Sequence, residues 1–178
     1  MRVQARSRSD KICAEVFHMR FVAKPDWKKL LICLAVPLFV GVLASFISKD
    51  SFALYGTLAR PPLSPPAWIF PVVWTILYLL MGLSSYLVSG KGEASEQALF
   101  LYGIQLFIQF FWPIIFFREQ SFLLAFIWLC LLFVFVLLMT LRFYQISPPA
   151  AFLQIPYLLW LIYAGYLNFG VFLQNRPM

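Results

Sequence analysis

Five stretches of this chain contain no charged residue at all: Leu30–Ser48, Pro61–Gly90, Gln97–Phe117, Gln120–Leu141 and Phe143–Asn175. Each is long enough for a membrane-spanning helix, which takes roughly 17–25 residues. Hydrocarbon offers the backbone no hydrogen-bond partner, so an uncharged apolar run of that length must close its N–H and C=O groups internally, as a helix. Composition agrees, since 62% of the 178 residues are hydrophobic and only 12% are charged, far from the usage of water-soluble domains. The sequence therefore predicts an all-α membrane protein, a bundle of five transmembrane helices. The spans fall at about residues 30–48, 67–89, 97–117, 121–141 and 149–174 of a domain covering 30–176. A basic tail (1–29) precedes it, and a long loop (49–66) separates the first two spans.

The net charge of +7 raises the question of nucleic acid, but the charges are placed for topology. Eight of the 14 basic residues (Arg2, Arg6, Arg8, Lys11, Arg20, Lys24, Lys28 and Lys29) precede the first span. Adding Lys91 and Arg142 gives ten on that side, against Lys49, Arg60, Arg118 and Arg176, four, on the other. Positive residues are retained on the cytoplasmic side. The expected amino terminus is cytoplasmic, with the 49–66 loop on the outer face and the lipid bilayer, not nucleic acid, as the partner. A bacterial inner membrane is the favoured host, and a mitochondrial outer membrane also fits. Ile12, Val16 and Phe17 leave room for a short helix on headgroups within an otherwise irregular tail, Met19 offers an alternative start, and no signal-peptide cleavage site stands out.

The spans hold no ionisable acid or base, and the single histidine, His18, lies in the tail. Ion transport, haem ligation and Ser/His/Asp chemistry all lack their parts. Cys13, Cys33 and Cys130 show no metal-ligand spacing. No catalytic residue, no metal site and no required cofactor is expected. What remains is indoles, phenols, amides and proline, groups suited to a flat, largely apolar ligand with a few polar edges.

Those groups are concentrated. Arg60, Pro61, Pro62, Leu63, Ser64, Pro65 and Pro66 form a loop stiffened by proline, which runs into a helix bearing Trp68, Trp74 and Tyr78. Helical spacing puts Pro71, Trp74, Tyr78, Met81 and Ser85 on one face of that helix, Gln105, Gln109, Trp112 and Phe116 on one stripe of the third, and Tyr157, Trp160, Ala164 and Asn168 on one face of the fifth. Two amides in hydrocarbon each require partners, either across helices or on a ligand, and the tryptophans serve either packing or a pocket. The fourth span, almost wholly aliphatic and aromatic and bearing Trp128, reads as a lipid-facing wall or subunit contact. Pro156 is placed to kink the fifth beside Trp160.

Three blocks, ARPPLSPPAWIFPVVWTILYLLMG, QLFIQFFWPIIFF and YQISPPAAFLQIPYLLWLIYAGYLN, resemble the loop with second helix, the third helix and the fifth helix of the translocator protein family (TspO/MBR, the peripheral benzodiazepine receptor group). The resemblance implies a five-helix bundle, often a homodimer, whose first loop covers a pocket for porphyrins, sterols and isoquinoline or benzodiazepine ligands. It assigns Tyr55 and Pro65 to the lid, Trp74 and Trp160 to the pocket tryptophans, and Trp112 and Ala164 to further pocket positions; Gln105 and Gln109 complete the expected ligand-binding set. The chain departs from the family pattern in having Gln109 for asparagine, Trp128 for an acidic residue and Leu63 for a lid tryptophan. It also lacks a sterol-recognition pattern after Tyr166.

The leading expectation is a membrane protein that binds a porphyrin or related tetrapyrrole as sensor, regulator or transporter, with a protoporphyrin-like molecule as ligand and sterol-like or benzodiazepine-type compounds as further ones. A light- and oxygen-dependent porphyrin-degrading enzyme built on Trp74 and Trp160 is the alternative, and a non-binding structural subunit a third.

Overall fold

The computed structural model describes residues 26–48 and 51–175. The basic tail as far as residue 25, with Cys13, His18 and Met19, lies outside the described residues, as do residues 49 and 50 and Arg176. Among the described residues there are seven α-helices: α1 (Trp27–Ile47), α2 (Ser51–Thr57), α3 (Ile69–Val88), α4 (Glu93–Pro113), α5 (Phe122–Ile146), α6 (Pro148–Phe152) and α7 (Ile155–Gln174). A π-helical turn, Ile114–Arg118, extends α4 beyond Pro113. Five stretches are long and apolar enough to cross a membrane: α1, α3, α4 with its π turn, α5, and α6 with α7. The protein is a multi-pass, all-helical membrane protein. Its third span starts at Glu93, with Glu93 and Glu96 in the first turn, where carboxylates meet the positive end of the helix dipole.

α1 packs on α3, α4 on α5, and α5 on α7, while α6 lies against both α3 and α5. On α5, Ala125, Leu129, Leu132, Val136, Met139 and Phe143 are all fully or almost fully buried. They recur at alternating steps of four and three, the seam of a knobs-into-holes contact. Its opposite face, with Leu124, Ile127, Leu131 and Leu138, is exposed and suits lipid. The reading of this span as a wall therefore describes one face only, because the same aliphatic residues that face lipid also fill the bundle core.

The α1–α3 crossing rests on two small residues. Pro37 has no N–H, so it cannot donate to the Cys33 carbonyl one turn earlier. Gly82 of α3 lies against that carbonyl: a Cβ there would come 2.7 Å from Cys33 O and 2.8 Å from Leu34 Cα. Gly41 of α1 likewise leaves the room taken by the Tyr78 ring. At the opposite end of the crossing, Lys29 Nζ donates to the Ser89 carbonyl at 3.0 Å, a cation on the negative end of α3.

The last span is broken, and the break differs from the expected one. Ser147 precedes α6, Pro148 and Pro149 open it, and the chain then turns at Leu153 and Gln154 before α7 begins. Pro156 falls in the first turn of α7, where a missing N–H costs nothing. The interruption precedes Pro156 and lies well before Trp160, instead of beside it. Ser84 Oγ of α3 donates to the Ala150 carbonyl at 2.7 Å and fixes α6 against the bundle.

Candidate functional site

The loop between α2 and α3 carries four prolines, Pro61, Pro62, Pro65 and Pro66, and a fifth, Pro71, lies in the first turn of α3. Proline offers a carbonyl but no donor, so a proline-rich cover can be fastened chiefly through its acceptors. The donors come mostly from α7. Tyr166 OH donates to Pro62 O at 2.8 Å, and Tyr163 OH to Leu63 O at 2.7 Å. Asn175 clasps Ala59 from both sides, its Nδ2 donating to Ala59 O at 2.8 Å and its Oδ1 accepting from Ala59 N at 3.1 Å. From α2, Tyr55 OH donates to Pro65 O at 3.0 Å. Gly170 lies directly under Pro61, where a Cβ would come within 2.6 Å of the proline ring. Leu63 adopts φ 65°, a left-handed conformation rare for a side chain of its size, and its carbonyl is the one held by Tyr163.

Beneath this strap runs a chain of aromatic contacts. The Tyr55 and Phe70 rings are 5.2 Å apart, Phe70 and Trp160 6.0 Å, and Trp160 and Trp74 6.5 Å at an interplanar angle of 87°. Trp74 also stacks on Tyr78 at 5.7 Å and meets the edge of Tyr157 at 6.0 Å. α3 and α7 are not among the closely packed helix pairs; their backbones stand apart and these aromatic side chains bridge the gap. A flat guest held between two indole faces needs two stacking distances of roughly 3.5 Å each, with the faces parallel. The edge-to-face pair fills that space itself, so a guest enters by turning or parting the indoles. Trp160 Nε1 is buried and has no hydrogen-bond partner.

One turn deeper lies a layer of amides and phenols. Gln109 Nε2 donates to Tyr78 OH at 2.9 Å, and the hydroxyl of Tyr157 faces Gln109 Oε1 at 3.0 Å and Gln105 Oε1 at 3.2 Å. Gln109 thus ties α4 to α3 and α7 at once. Such interhelical bonds in membranes contribute on the order of 1 kcal/mol each. Gln105 Nε2 is left without a partner.

Tyr55 with Pro65, Trp74 with Trp160, and Gln105 with Gln109 are thus linked through Phe70 and Tyr157. Ala164, a turn beyond Trp160, is buried on the same helix. Trp112 goes elsewhere: its Nε1 donates to Asn168 Oδ1 at 3.3 Å, its ring stacks on Phe116 at 5.4 Å, and Asn168 Nδ2 donates to Phe122 O at 2.8 Å. Trp128 Nε1 donates to the Ile108 carbonyl at 2.7 Å, which makes it a tie between α5 and α4. An open cavity of about 650 Å3 on the lid is lined by Leu58, Arg60, Pro61, Leu63, Ser64, Pro65 and Pro66. A second groove of about 490 Å3 runs between α5 and α7 along Phe126, Leu129, Cys130 and Gly165.

With five spans, a proline cover strapped to the last of them and paired indoles beneath, residues 33–173 match the model of the TspO/MBR family. The chain belongs to the TspO/MBR family. Among relatives, it is 39% identical over 152 residues to the tryptophan-rich protein TspO of Chlorobaculum tepidum, an alignment covering 83% of this chain and 96% of that protein. It is 33% identical over 157 residues to the translocator protein of Bos taurus, covering 85% and 93%. It is likewise 33% identical over 154 residues to the tryptophan-rich sensory protein of Cereibacter sphaeroides, covering 85% and 96%.

Within this TspO/MBR chain, the sequence-derived set omits the residues that hold the lid, Tyr163, Tyr166 and Asn175, and the two phenols, Tyr157 and Tyr78, that Gln109 joins. Tyr163, Tyr166 and Gly170 recur at steps of three and four on α7, a stripe of two donors and a gap. That spacing was the available signal. Its meaning depends on a proline-rich loop, offering mainly acceptors, about a hundred residues earlier.

Proposed function

We propose that this TspO/MBR member binds a flat, largely apolar tetrapyrrole between α3 and α7 under the lid, and that binding is read out as a sensing or regulatory event or coupled to the ligand's movement. The observation carrying this reading is the Trp74–Trp160 corner, where two indoles bridge helices whose backbones stand apart and Trp160 Nε1 is a buried donor with no acceptor. A buried unpartnered donor is destabilising, and a guest bearing an acceptor would satisfy it. The lid is held mostly by side-chain hydrogen bonds to carbonyls, which can open without unfolding a helix. With the amino terminus cytoplasmic, the lid faces outward and the guest arrives from that side or from the outer leaflet.

The test is a titration of the purified protein with protoporphyrin IX while tryptophan fluorescence is followed. Saturable quenching that weakens in Trp74→Phe and Trp160→Phe is expected. Absence of saturation, or identical curves in both variants, refutes the proposal.

A further inference from the structure

Among the described residues, Gln154 is the one buried side chain with both polar atoms unpartnered. It is fully buried, at 0% exposure, and neither its Nε2 nor its Oε1 has a hydrogen-bond partner. It occupies the turn between α6 and α7, just before the first residue of α7. Its backbone is fully engaged there, the N–H donating to Ala151 O at 2.9 Å and the carbonyl accepting from Leu158 N at 3.1 Å, so the side chain is not needed to cap the break. Tyr157, three residues on and therefore on the same face, reaches Gln105 across the bundle. Gln105 is also fully buried, and its Nε2 is also unpartnered. Gln154, with both of its amide atoms free, thus lies one turn before the tyrosine whose hydroxyl reaches Gln105, where only Nε2 is free.

We infer that Gln154 and Gln105 form a polar subsite at the inner end of the proposed ligand slot, which takes a ligand edge bearing a carbonyl next to an O–H or N–H: a neutral carboxylic acid, amide or lactam. A free primary amide presents one donor edge and one acceptor in a plane, the complement of such a group, and Gln105 Nε2 adds a second donor for the carbonyl. The spans supply no lysine, arginine or histidine on their buried faces, so an ionised carboxylate would remain uncompensated here. The neutral form is the one selected. This inference rests on the tetrapyrrole reading above and specifies which end of the guest enters first.

The two ideas are separated by comparing protoporphyrin IX, which has two carboxylic acid side chains, with etioporphyrin, which has none, on wild type and on Gln154→Leu in detergent. Wild type is expected to favour protoporphyrin IX, and Gln154→Leu to lose that preference by on the order of tenfold, the worth of about one buried hydrogen bond. Etioporphyrin binding should be unchanged. Because the variant also removes an unsatisfied amide, the ligand-free protein should melt at an equal or higher temperature. Gln154→Met, unbranched and of similar length, repeats the comparison should leucine disturb folding.

An unchanged preference in both variants overturns the subsite while leaving the slot standing; the amide then serves only enclosed water. A wild type that binds neither porphyrin saturably overturns both.

Discussion

Gly82 and Gly103 lie in neighbouring membrane helices, and a methyl group added to each meets opposite surroundings. At Gly82 it would run into the Cys33 carbonyl and the Leu34 backbone, whereas at Gly103 nothing lies within 4 Å. Backbone cannot swing aside as a side chain can, so Gly82→Ala should cost about 1–3 kcal/mol. Gly103→Ala should be neutral or stabilising by up to about 1 kcal/mol, the ordinary helix preference for alanine. Thermal melts of the two variants in the same detergent check this, and equal melting temperatures would contradict the packing described for α1 and α3. At this scale the sequence was partly legible. A proline or glycine in an apolar run, such as Pro37 and Gly41, signals a kink or a close contact, but nothing local marks Cys33 as the carbonyl Gly82 approaches. The same limit applied to the amides: hydrocarbon requires Gln105 and Gln109 to find partners, yet only the assembled bundle identifies Tyr78 and Tyr157 as those partners.

The loop over the bundle is fastened by side-chain hydrogen bonds to its carbonyls and not by helix backbone bonds. Tyr163 and Tyr166 donate to consecutive lid carbonyls from partly exposed positions, and each such bond is worth about 0.5–1.5 kcal/mol. Tyr163→Phe with Tyr166→Phe should therefore speed dissociation of bound protoporphyrin IX by roughly tenfold and leave the melting temperature of the ligand-free protein nearly unchanged. Stopped-flow recovery of tryptophan fluorescence measures the first and a thermal melt the second. Unaltered dissociation would mean that the lid does not gate the slot. Proline announced this element in the sequence because it fixes backbone angles and removes donors. Three features remained hidden: the short helix α2, the left-handed turn at Leu63, and the clasp of Asn175 on Ala59, which joins residues 116 apart. All three are set by contacts between distant segments.

For the whole molecule, the spans were readable because charge cannot be left in hydrocarbon, and five uncharged intervals became five crossings. Their arrangement was not readable from periodicity, since a helix apolar on every side can face lipid or core equally well, as α5 shows. The resemblance of the loop with the second helix, of the third helix and of the fifth to one family implies the arrangement that periodicity leaves open. Among the described residues, one buried indole is unsatisfied while two others are hydrogen-bonded. Trp112 donates to Asn168 and Trp128 to the Ile108 carbonyl, while Trp160 Nε1 is buried without an acceptor. The proposed slot can be probed at that single atom by recording the indole N–H resonances of the 15N-labelled protein in detergent during titration with protoporphyrin IX. The Trp160 N–H should begin at the position of a non-hydrogen-bonded indole and move saturably downfield as it gains an acceptor, with those of Trp112 and Trp128 nearly stationary. A Trp160 signal that stays put while protoporphyrin IX binds, or three signals that drift together, would mean that the guest sits elsewhere.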